Sequence, residues 1–245
     1  MKPKLAPSIL SADFWALGDA IEAVSEHADM IHVDVMDGCF VPNITMGNVV
    51  IEAIKAHSNL FVDCHLMAVR PASHFDSLAA SGADSISFHY EASDDPRKDL
   101  SSLRKLGIGA SIAINPSTSE EVLITLLDST DMVVVMSVNP GFSGQRFIES
   151  AIDKIRCIRQ WREEMGLGFE IEVDGGITAE NIERAAEAGA TVFVSASSIF
   201  GSKDPAGAAA ELKRLASVGM ARCPFGASSP QKAVGADNLL WGKEQ

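Results

Sequence analysis

Ionisable side chains stand inside three apolar segments of the sequence. His32 and Asp34 lie two residues apart in the run IHVDVMD, His65 lies in DCHLM, and Asp174 lies in EVDGG. Side chains alternate along a strand, so His32 and Asp34 share one face. Because an interior charge is costly unless it is paired or bound to metal, the four residues together predict a mixed nitrogen and oxygen site for one divalent metal ion. Zn²⁺, Fe²⁺, Mn²⁺ and Co²⁺ all suit this ligand set.

Each of these four residues has an ordinary structural interpretation when it is taken alone. A single interior histidine is usually a hydrogen-bonded core residue, and a single aspartate at a strand end often caps the following helix. Four such residues at equivalent heights on three strands favour a shared site instead.

Backbone amides in three segments offer a place for a phosphate group. The segments are NPGFSGQ at 139–145, the pair Gly175 and Gly176, and the pair Ser197 and Ser198. Amides in glycine-rich turns and at helix N-termini attract anions, and the loops after the last two strands of a barrel are a recurrent phosphate site. None of these segments contains a lysine or arginine, so an acidic protein would hold phosphate through amide dipoles. Tight turns alone explain one such loop better than three.

Three methionines, Met36, Met67 and Met136, stand at the ends of three predicted strands. Methionine ordinarily fills gaps in a hydrophobic core. Their shared height predicts an apolar lid that faces the reacting carbons of a substrate.

Eight short segments rich in apolar or β-branched residues would position these side chains. They are residues 5–10, 30–37, 61–67, 85–91, 109–115, 132–138, 170–176 and 191–197. Most intervals between them can hold a helix and two loops, and this alternation predicts a parallel sheet. Eight units in about 250 residues match a (β/α)8 TIM barrel, a fold of the α/β class. A doubly wound sheet is the competing architecture, but it usually has fewer strands and needs a glycine-rich turn after the first.

Helix start and stop signals agree with this alternation. Ser11 and Asp13 precede the apolar positions of a first helix, and Thr178 and Asn181 precede a later helix that Gly189 ends.

The barrel is predicted to occupy residues 1–218, with the eighth helix at 205–218. Residues 219–245 are dominated by Gly, Ser, Pro and Ala, and we predict a C-terminal extension there without an assigned function.

The composition of the 245-residue chain excludes several classes of protein. Hydrophobic residues make up 47% and charged residues 22%, as in soluble globular proteins. The net charge of −13 argues against partners such as nucleic acid or an anionic membrane surface. No apolar run reaches the roughly 20 residues that span a bilayer, and the amino terminus lacks a signal-peptide core, so we expect a cytoplasmic protein. The four cysteines form no CxxC pair and are read as reduced thiols.

Six motifs then occur in a characteristic order. They are APSIL at 6–10, HVDVMDG at 32–38, FVPN at 40–43, HLM at 65–67, MSVNPGF at 136–142 and EVDGGI at 172–177. Together they resemble the ribulose-phosphate 3-epimerase family, over residues 5 to 218. The resemblance implies a (β/α)8 barrel that interconverts D-ribulose 5-phosphate and D-xylulose 5-phosphate in the pentose phosphate pathway, and it implies a homo-oligomer.

The resemblance also implies a role for each matching residue. His32, Asp34, His65 and Asp174 would bind one divalent metal ion, and the two aspartates would be the acid/base groups on opposite faces of the substrate. The methionines at the strand ends would border the intermediate. The substrate and its phosphate would be contacted by Ser8, His65, Gly141, Phe142, Ser143, Gly144, Gly175, Gly176, Ala196 and Ser197.

Two positions depart from the family pattern. Ser143 stands where the family commonly has a glycine, and Ser195, Ala196 and Ser197 stand where it has Ala-Gly-Ser. Both departures lie in the predicted phosphate loops, so the added Cβ atoms are expected to shift the amides or to alter substrate preference.

Epimerisation at C3 removes a proton beside a ketone and returns one from the other face. Two carboxylates on opposite sides of the substrate suit this reaction, because one base would serve both faces only if the substrate turned over. A metal ion bound to the C2 and C3 oxygens would stabilise the enediolate as a Lewis acid.

Other functions remain open at this point. An aldolase or decarboxylase of the same fold commonly uses a lysine at a strand end, and no strand end here has one. A barrel that binds a sugar phosphate without catalysis is a further alternative. Within the family, D-allulose 6-phosphate is the competing substrate, although the runs SVN at 137–139 and DGG at 174–176 look more like the pentose-phosphate enzyme.

Overall fold

Eight parallel strands curve into a barrel in the computed structural model, which describes residues 2–223. The strands are β1 (Lys4–Pro7), β2 (Met30–Met36), β3 (Phe61–Met67), β4 (Ser85–His89), β5 (Gly109–Ile114), β6 (Met132–Met136), β7 (Glu170–Asp174) and β8 (Val192–Ser195). The predicted (β/α)8 TIM barrel is confirmed. Several strands end earlier than predicted: β7, for example, ends at Asp174 because Gly175 turns the chain away with a φ of +116°.

The barrel has a seam between β1 and β2. Hydrogen-bonded ladders join β2 through β8 in order and then join β8 to β1. Across the seam, Ser8 and His32 form a single parallel bridge, and the Asp29 amide donates to the Leu5 carbonyl at 3.0 Å. Two predicted site residues therefore close the barrel.

Helices cover most of the outer surface of the barrel. They are α1 (Leu17–Val24), α2 (Asn48–His57), α3 (Phe75–Ala80), α4 (Pro96–Lys105), α5 (Ser150–Glu164), α6 (Ile182–Ala188), α7 (Ser197–Phe200) and α8 (Pro205–Arg222). Asp13 caps a 3-10 turn that leads into α1, by accepting from the Trp15 amide. Gly189 ends α6 with a φ of +122°, as predicted.

The connection between β5 and β6 contains no α-helix, contrary to a strict alternation of strand and helix. Two 3-10 turns, Glu120–Leu123 and Leu127–Ser129, occupy it. The segment is rich in Ser, Thr and β-branched residues, which favour caps and turns over helix interiors. Lys154 of α5 reaches into this connection and donates to backbone carbonyls.

The last helix continues past its predicted end at residue 218, as far as Arg222. Gly219 is not a helix stop but a point of close approach to α6. A Cβ at this position would collide with the Glu183 carbonyl oxygen and would lie 2.8 Å from the Ala186 Cβ. The predicted extension from residue 224 onward lies outside the described residues.

Two hydrophobic layers surround the strands. The larger layer fills the space between the sheet and the helices. In the barrel interior, Ala6, Met132, Val134, Val192 and Val194 belong to a smaller apolar cluster. The buried polar side chains of β2, β3 and β7 share this interior and form the candidate site.

The sequence predicts reduced cysteines and no membrane-spanning segment. All four cysteines are free thiols, and Cys64 is buried in the core. Within residues 2–223, no helix combines the length and apolar character that crossing a bilayer requires.

Candidate active site

The four predicted metal ligands converge at the carboxyl ends of β2, β3 and β7. One ligand atom from each of His32, Asp34, His65 and Asp174 lies within 4.8 Å of every other. His65 Nδ1 is 3.5 Å from Asp34 Oδ1 and 3.2 Å from Asp174 Oδ2. His32 Nε2 is 3.5 Å and 3.8 Å from the same two oxygens. The register places Asp34 directly opposite His65 on the neighbouring strand, which explains how residues far apart in sequence reach one height.

Each of the two histidine rings directs toward the carboxylates of Asp34 and Asp174 one nitrogen that makes no hydrogen bond within residues 2–223. His32 Nε2 and His65 Nδ1 are buried, and neither makes a hydrogen bond to any residue in the described part of the chain. The other nitrogen of each ring is held: His32 Nδ1 lies 2.7 Å from Asp63 Oδ2, and His65 Nε2 lies 2.9 Å from His89 Nε2. Because unpaired buried nitrogens are costly, their shared direction fits a metal ion.

The charge of the cluster also fits a cation. Burial lowers the pKa of His32, but the carboxylates of Asp34, Asp63 and Glu172 outweigh burial and raise this pKa well above its ordinary value. Burial raises the pKa of Asp34, but His32 and His65 more than reverse this effect and lower it. The site therefore favours positive charge, either as a proton on His32 or as a bound cation.

Asp34 is further fixed by the hydroxyl of Ser8. Ser8 Oγ donates to Asp34 Oδ2 at 2.6 Å, while the other oxygen, Oδ1, faces the histidines. The two oxygens of one carboxylate are thus given different partners.

Four polar residues around the cluster received no role from the sequence. Asp63 and Glu172 are fully buried behind His32, and burial, with Asp63 nearby, raises the pKa of Glu172 well above its ordinary value. His89 is the last residue of β4 and contacts His65, and burial lowers the pKa of His89 to about 4. Glu91 lies beside His89. The two-residue alternation would have placed Asp63 with His65 and Glu172 with Asp174. The contact between His89 and His65 is seen only in the structure, because the strand register pairs His65 with Ser87 and the His89 ring reaches it from two residues further along β4.

A pocket of roughly 520 Å³, including its open mouth, lies above the cluster. Asp34 and Asp174 reach its floor, whereas His32 and His65 lie behind it with no exposed surface. All the predicted substrate-binding residues except His65 line the pocket, together with the three methionines Met36, Met67 and Met136. The lining also includes residues that were not predicted: Leu10, Val138, Pro140, Gln145, Ile177 and Val194.

The glycine-rich loops adopt backbone conformations that need glycine. Gly175 and Gly176 have φ values of +116° and +65°. A Cβ on Gly176 would lie 2.7 Å from the Phe147 amide nitrogen, so the two segments of backbone are in close approach. Gln145 Nε2 closes the neighbouring loop by donating to the carbonyls of Asn139 at 2.7 Å and Phe142 at 2.8 Å. Among the described residues that line the pocket, none is a lysine or arginine.

Both departures from the family pattern fit the backbone that is present. Arg70 is the one non-glycine residue of the described chain with a positive φ, so Ser143 does not occupy a position reserved for glycine. Ala196 has a φ of −112° and precedes α7. Neither Cβ therefore strains the loop through its φ angle.

Comparison with known proteins gives a consistent result. A family model described as "Ribulose-phosphate 3 epimerase family" matches residues 4–200. The chain is 46% identical to the ribulose-phosphate 3-epimerase of Synechocystis, over 85% of this chain and 92% of that protein. It is 44% identical to the enzyme of the same name from Mycobacterium tuberculosis, over 87% and 93% of the two chains. Among solved structures, KGPDC from Streptococcus mutans superposes with a TM-score of 0.68 at 14% identity, over 88% of this chain and 98% of that one, which shows the fold alone.

Proposed function

Since this chain belongs to the ribulose-phosphate 3-epimerase family, we propose that it inverts C3 of D-ribulose 5-phosphate to give D-xylulose 5-phosphate. The enzyme is an isomerase, and its relatives carry that activity in their names. The substrate, the mechanism and the need for a metal ion are the parts of the proposal that require testing.

The observation that carries the proposal is the position of two carboxylates on the pocket floor. Asp34 comes from β2 and Asp174 from β7, which lie three strands apart around the barrel. Their oxygens approach within 4.8 Å, and both residues line the pocket. We propose that one carboxylate removes the C3 proton while the other delivers a proton to the opposite face, with the roles exchanged in the reverse reaction.

The same two carboxylates, together with His32 and His65, would hold a divalent metal ion. When bound, such a cation supplies Lewis-acid stabilisation for negative charge on substrate oxygens. Ser8 keeps Asp34 Oδ2 engaged and so orients the carboxylate. Burial of both histidines excludes water from the ligand side of the site.

The pocket walls suit a phosphorylated sugar. Gly141, Gly144, Gly175 and Gly176 lie on one side with positive φ values, and the start of α7 lies beside them. We propose that backbone amides there hold the phosphate, because none of the lining side chains within residues 2–223 is a lysine or arginine. The three methionines would cover the reacting carbons and limit their access to water.

The test is to replace each carboxylate by its amide in Asp34→Asn and Asp174→Asn. Each variant is expected to lose at least a hundredfold in turnover, the lower end of the contribution from a positioned acid or base. Asp153→Asn on the exposed face of α5 is the matched control. Turnover is measured in deuterated water with both D-ribulose 5-phosphate and D-allulose 6-phosphate, with metal content determined for every sample.

Three results would separate the parts of the proposal. Near-normal activity in either variant with metal still bound would rule out the two-base scheme. Faster turnover of D-allulose 6-phosphate by the native enzyme would overturn the assigned substrate. Full activity after complete metal removal would exclude the metal requirement.

A further inference from the structure

A line of hydrogen-bonding side chains runs from the candidate metal ligand His65 out to the loop after β5. We propose that His89 and Glu91, neither of which lines the pocket, are positioning residues that hold His65 in the tautomer whose Nδ1 can bind a metal ion. The proposal rests on the metal site proposed above, and it concerns how that site is kept ready for metal.

The contact between the two histidine rings fixes the direction of one proton. His65 Nδ1 faces the oxygens of Asp34 and Asp174 at 3.5 Å and 3.2 Å. Without a metal ion these carboxylates favour a proton on Nδ1, whereas metal binding there requires the ring proton on Nε2. His65 Nε2 lies 2.9 Å from His89 Nε2. If His65 donates across this contact, His89 Nε2 must accept, and the single proton of neutral His89 must lie on Nδ1.

Glu91 is the group that favours a proton at His89 Nδ1. Its Oε2 lies 3.3 Å from His89 Nδ1 and is available as an acceptor. A carboxylate can only accept hydrogen bonds, so it selects the tautomer with the proton on Nδ1. The chain of donors and acceptors therefore reads His65 Nε2–H to His89 Nε2, then His89 Nδ1–H to Glu91.

The other oxygen of Glu91 is held by the loop after β5. Glu91 Oε1 accepts from the Asn115 amide at 2.8 Å and from the Thr118 hydroxyl. Lys154 of α5 donates to the same loop, to the carbonyls of Asn115 at 3.1 Å, Pro116 at 2.9 Å and Thr118. With donors fixed around Oε1, only Oε2 is directed at His89.

This arrangement makes Glu91→Gln informative. The glutamine oxygen would occupy the Oε1 position, because the Asn115 backbone N–H there can only donate. Its NH₂ group would then face His89 Nδ1 and require that nitrogen to accept. The proton of His89 would move to Nε2, and His65 would have to accept at Nε2 and carry its own proton on Nδ1, the atom needed for metal.

A purely structural role for Glu91 would give a different result. If Glu91 only anchors the loop, then loss of any loop contact should weaken the site to a similar degree. Thr118→Val removes one donor to Oε1 but leaves the carboxylate and its contact with His89 unchanged. Glu121→Gln, in the 3-10 turn that follows the loop, is the matched control for loss of a glutamate charge.

The experiment uses the full chain and two measurements other than turnover. Long-range ¹H–¹⁵N correlation spectra of ¹⁵N-histidine-labelled, Zn²⁺-loaded protein report which nitrogen of the His89 ring carries the proton. Competition between the protein and a chelator for Co²⁺ gives the metal affinity. For Glu91→Gln we expect the His89 proton to leave Nδ1 and Co²⁺ affinity to fall about 10- to 100-fold.

The outcomes distinguish this inference from the proposed function. Unchanged tautomers and Co²⁺ affinity in Glu91→Gln, with binding abolished in His65→Ala, would overturn the role of Glu91 and leave the metal site intact. An equal loss of affinity in Thr118→Val would also overturn it, in favour of simple loop anchoring. Failure of the native protein to bind Co²⁺ would refute the metal site itself, and the inference with it.

Discussion

Gly176 offers a quantitative test of the phosphate loops, with Gly144 as its internal control. Both glycines line the pocket and both have positive φ, +65° and +75°. They differ in their surroundings: a Cβ on Gly176 would lie 2.7 Å from the Phe147 amide nitrogen and 2.9 Å from the Gln145 carbonyl oxygen, whereas a Cβ on Gly144 would meet nothing within 4 Å. The pair therefore separates strain in the φ angle from a backbone collision.

The expected loss of stability follows from these two terms. An L-residue in the left-handed region costs about 1–2 kcal/mol, which both Gly144→Ala and Gly176→Ala should show. Gly176→Ala adds a collision between two backbone segments, for which overpacking suggests about 1–3 kcal/mol more. For a domain of this size, each kcal/mol corresponds to about 2–4 °C in Tm, so Gly176→Ala should melt roughly 2–12 °C below Gly144→Ala.

The functional consequence should follow the same order. Relief of the collision must move the backbone around Gly176, and with it the amides proposed to hold the phosphate. Loss of one hydrogen bond to a charged group is worth about 1.5–3 kcal/mol, which is roughly a 10- to 100-fold fall in kcat/KM. Gly144→Ala should lose much less.

Thermal unfolding and steady-state kinetics of the two variants, measured side by side, check this expectation. Equal Tm values would show that the loop absorbs the collision at Gly176 without strain. A kcat/KM for Gly176→Ala equal to that of the native enzyme would refute the assignment of these amides to the phosphate.

Three further predictions concern the site and the helical layer. Ser8→Ala removes the donor to Asp34 Oδ2 and should lower kcat/KM by about 10- to 100-fold in steady-state kinetics, without loss of the fold in circular dichroism. Gly219→Ala should destabilise the barrel by about 1–3 kcal/mol in urea unfolding, because the added Cβ collides with α6. Gly18→Ala adds a Cβ that meets nothing within 4 Å and should stabilise α1 by up to about 1 kcal/mol. A change of the same sign in both variants would contradict the packing described. Chelation of metal should lower Tm. The metal-free protein should then lose stability as pH rises above about 6.5, because His32 in the folded protein holds its proton more tightly than in the unfolded chain. A rise in the free energy of unfolding over that pH range would contradict the raised pKa.

Much of the fold could be predicted from the sequence, because the patterns that define strands and helix ends are local. The alternation in IHVDVMD places His32 and Asp34 on one face of β2, and this requires only the two-residue period of a strand. The stop at Gly189 is equally local, since it follows from glycine's access to positive φ. Such features are readable without knowledge of the neighbouring strands.

The sequence-based predictions were wrong where contacts with distant parts of the chain determine the local structure. Gly219 begins the segment rich in Gly, Ser, Pro and Ala at which the helix was predicted to end, but this glycine lets α8 approach Glu183 of α6. The connection after β5 has the length of a helix, yet Lys154 and Glu91 bind its backbone in another conformation. Neither partner can be identified from the segment itself.

The candidate site shows the same division. The four proposed metal ligands could be identified from residue type and strand position, and these residues do lie together. The roles of Asp63 and His89 could not be predicted, because each role depends on which histidine ring the side chain contacts across the sheet. Register is set by the whole barrel, and no single motif contains it.

The bridge between Ser8 and His32 links the chemistry of the site to the folding of the barrel. An open sheet that had formed every ladder from β2 to β1 would still lack the contact between Ser8 and Asp34. The complete site therefore exists only after the first strand has met both its late partner, β8, and its early one, β2. We expect a partly folded chain to lack this contact and its contribution to turnover, so full activity during refolding should be a late event that reports closure of the seam.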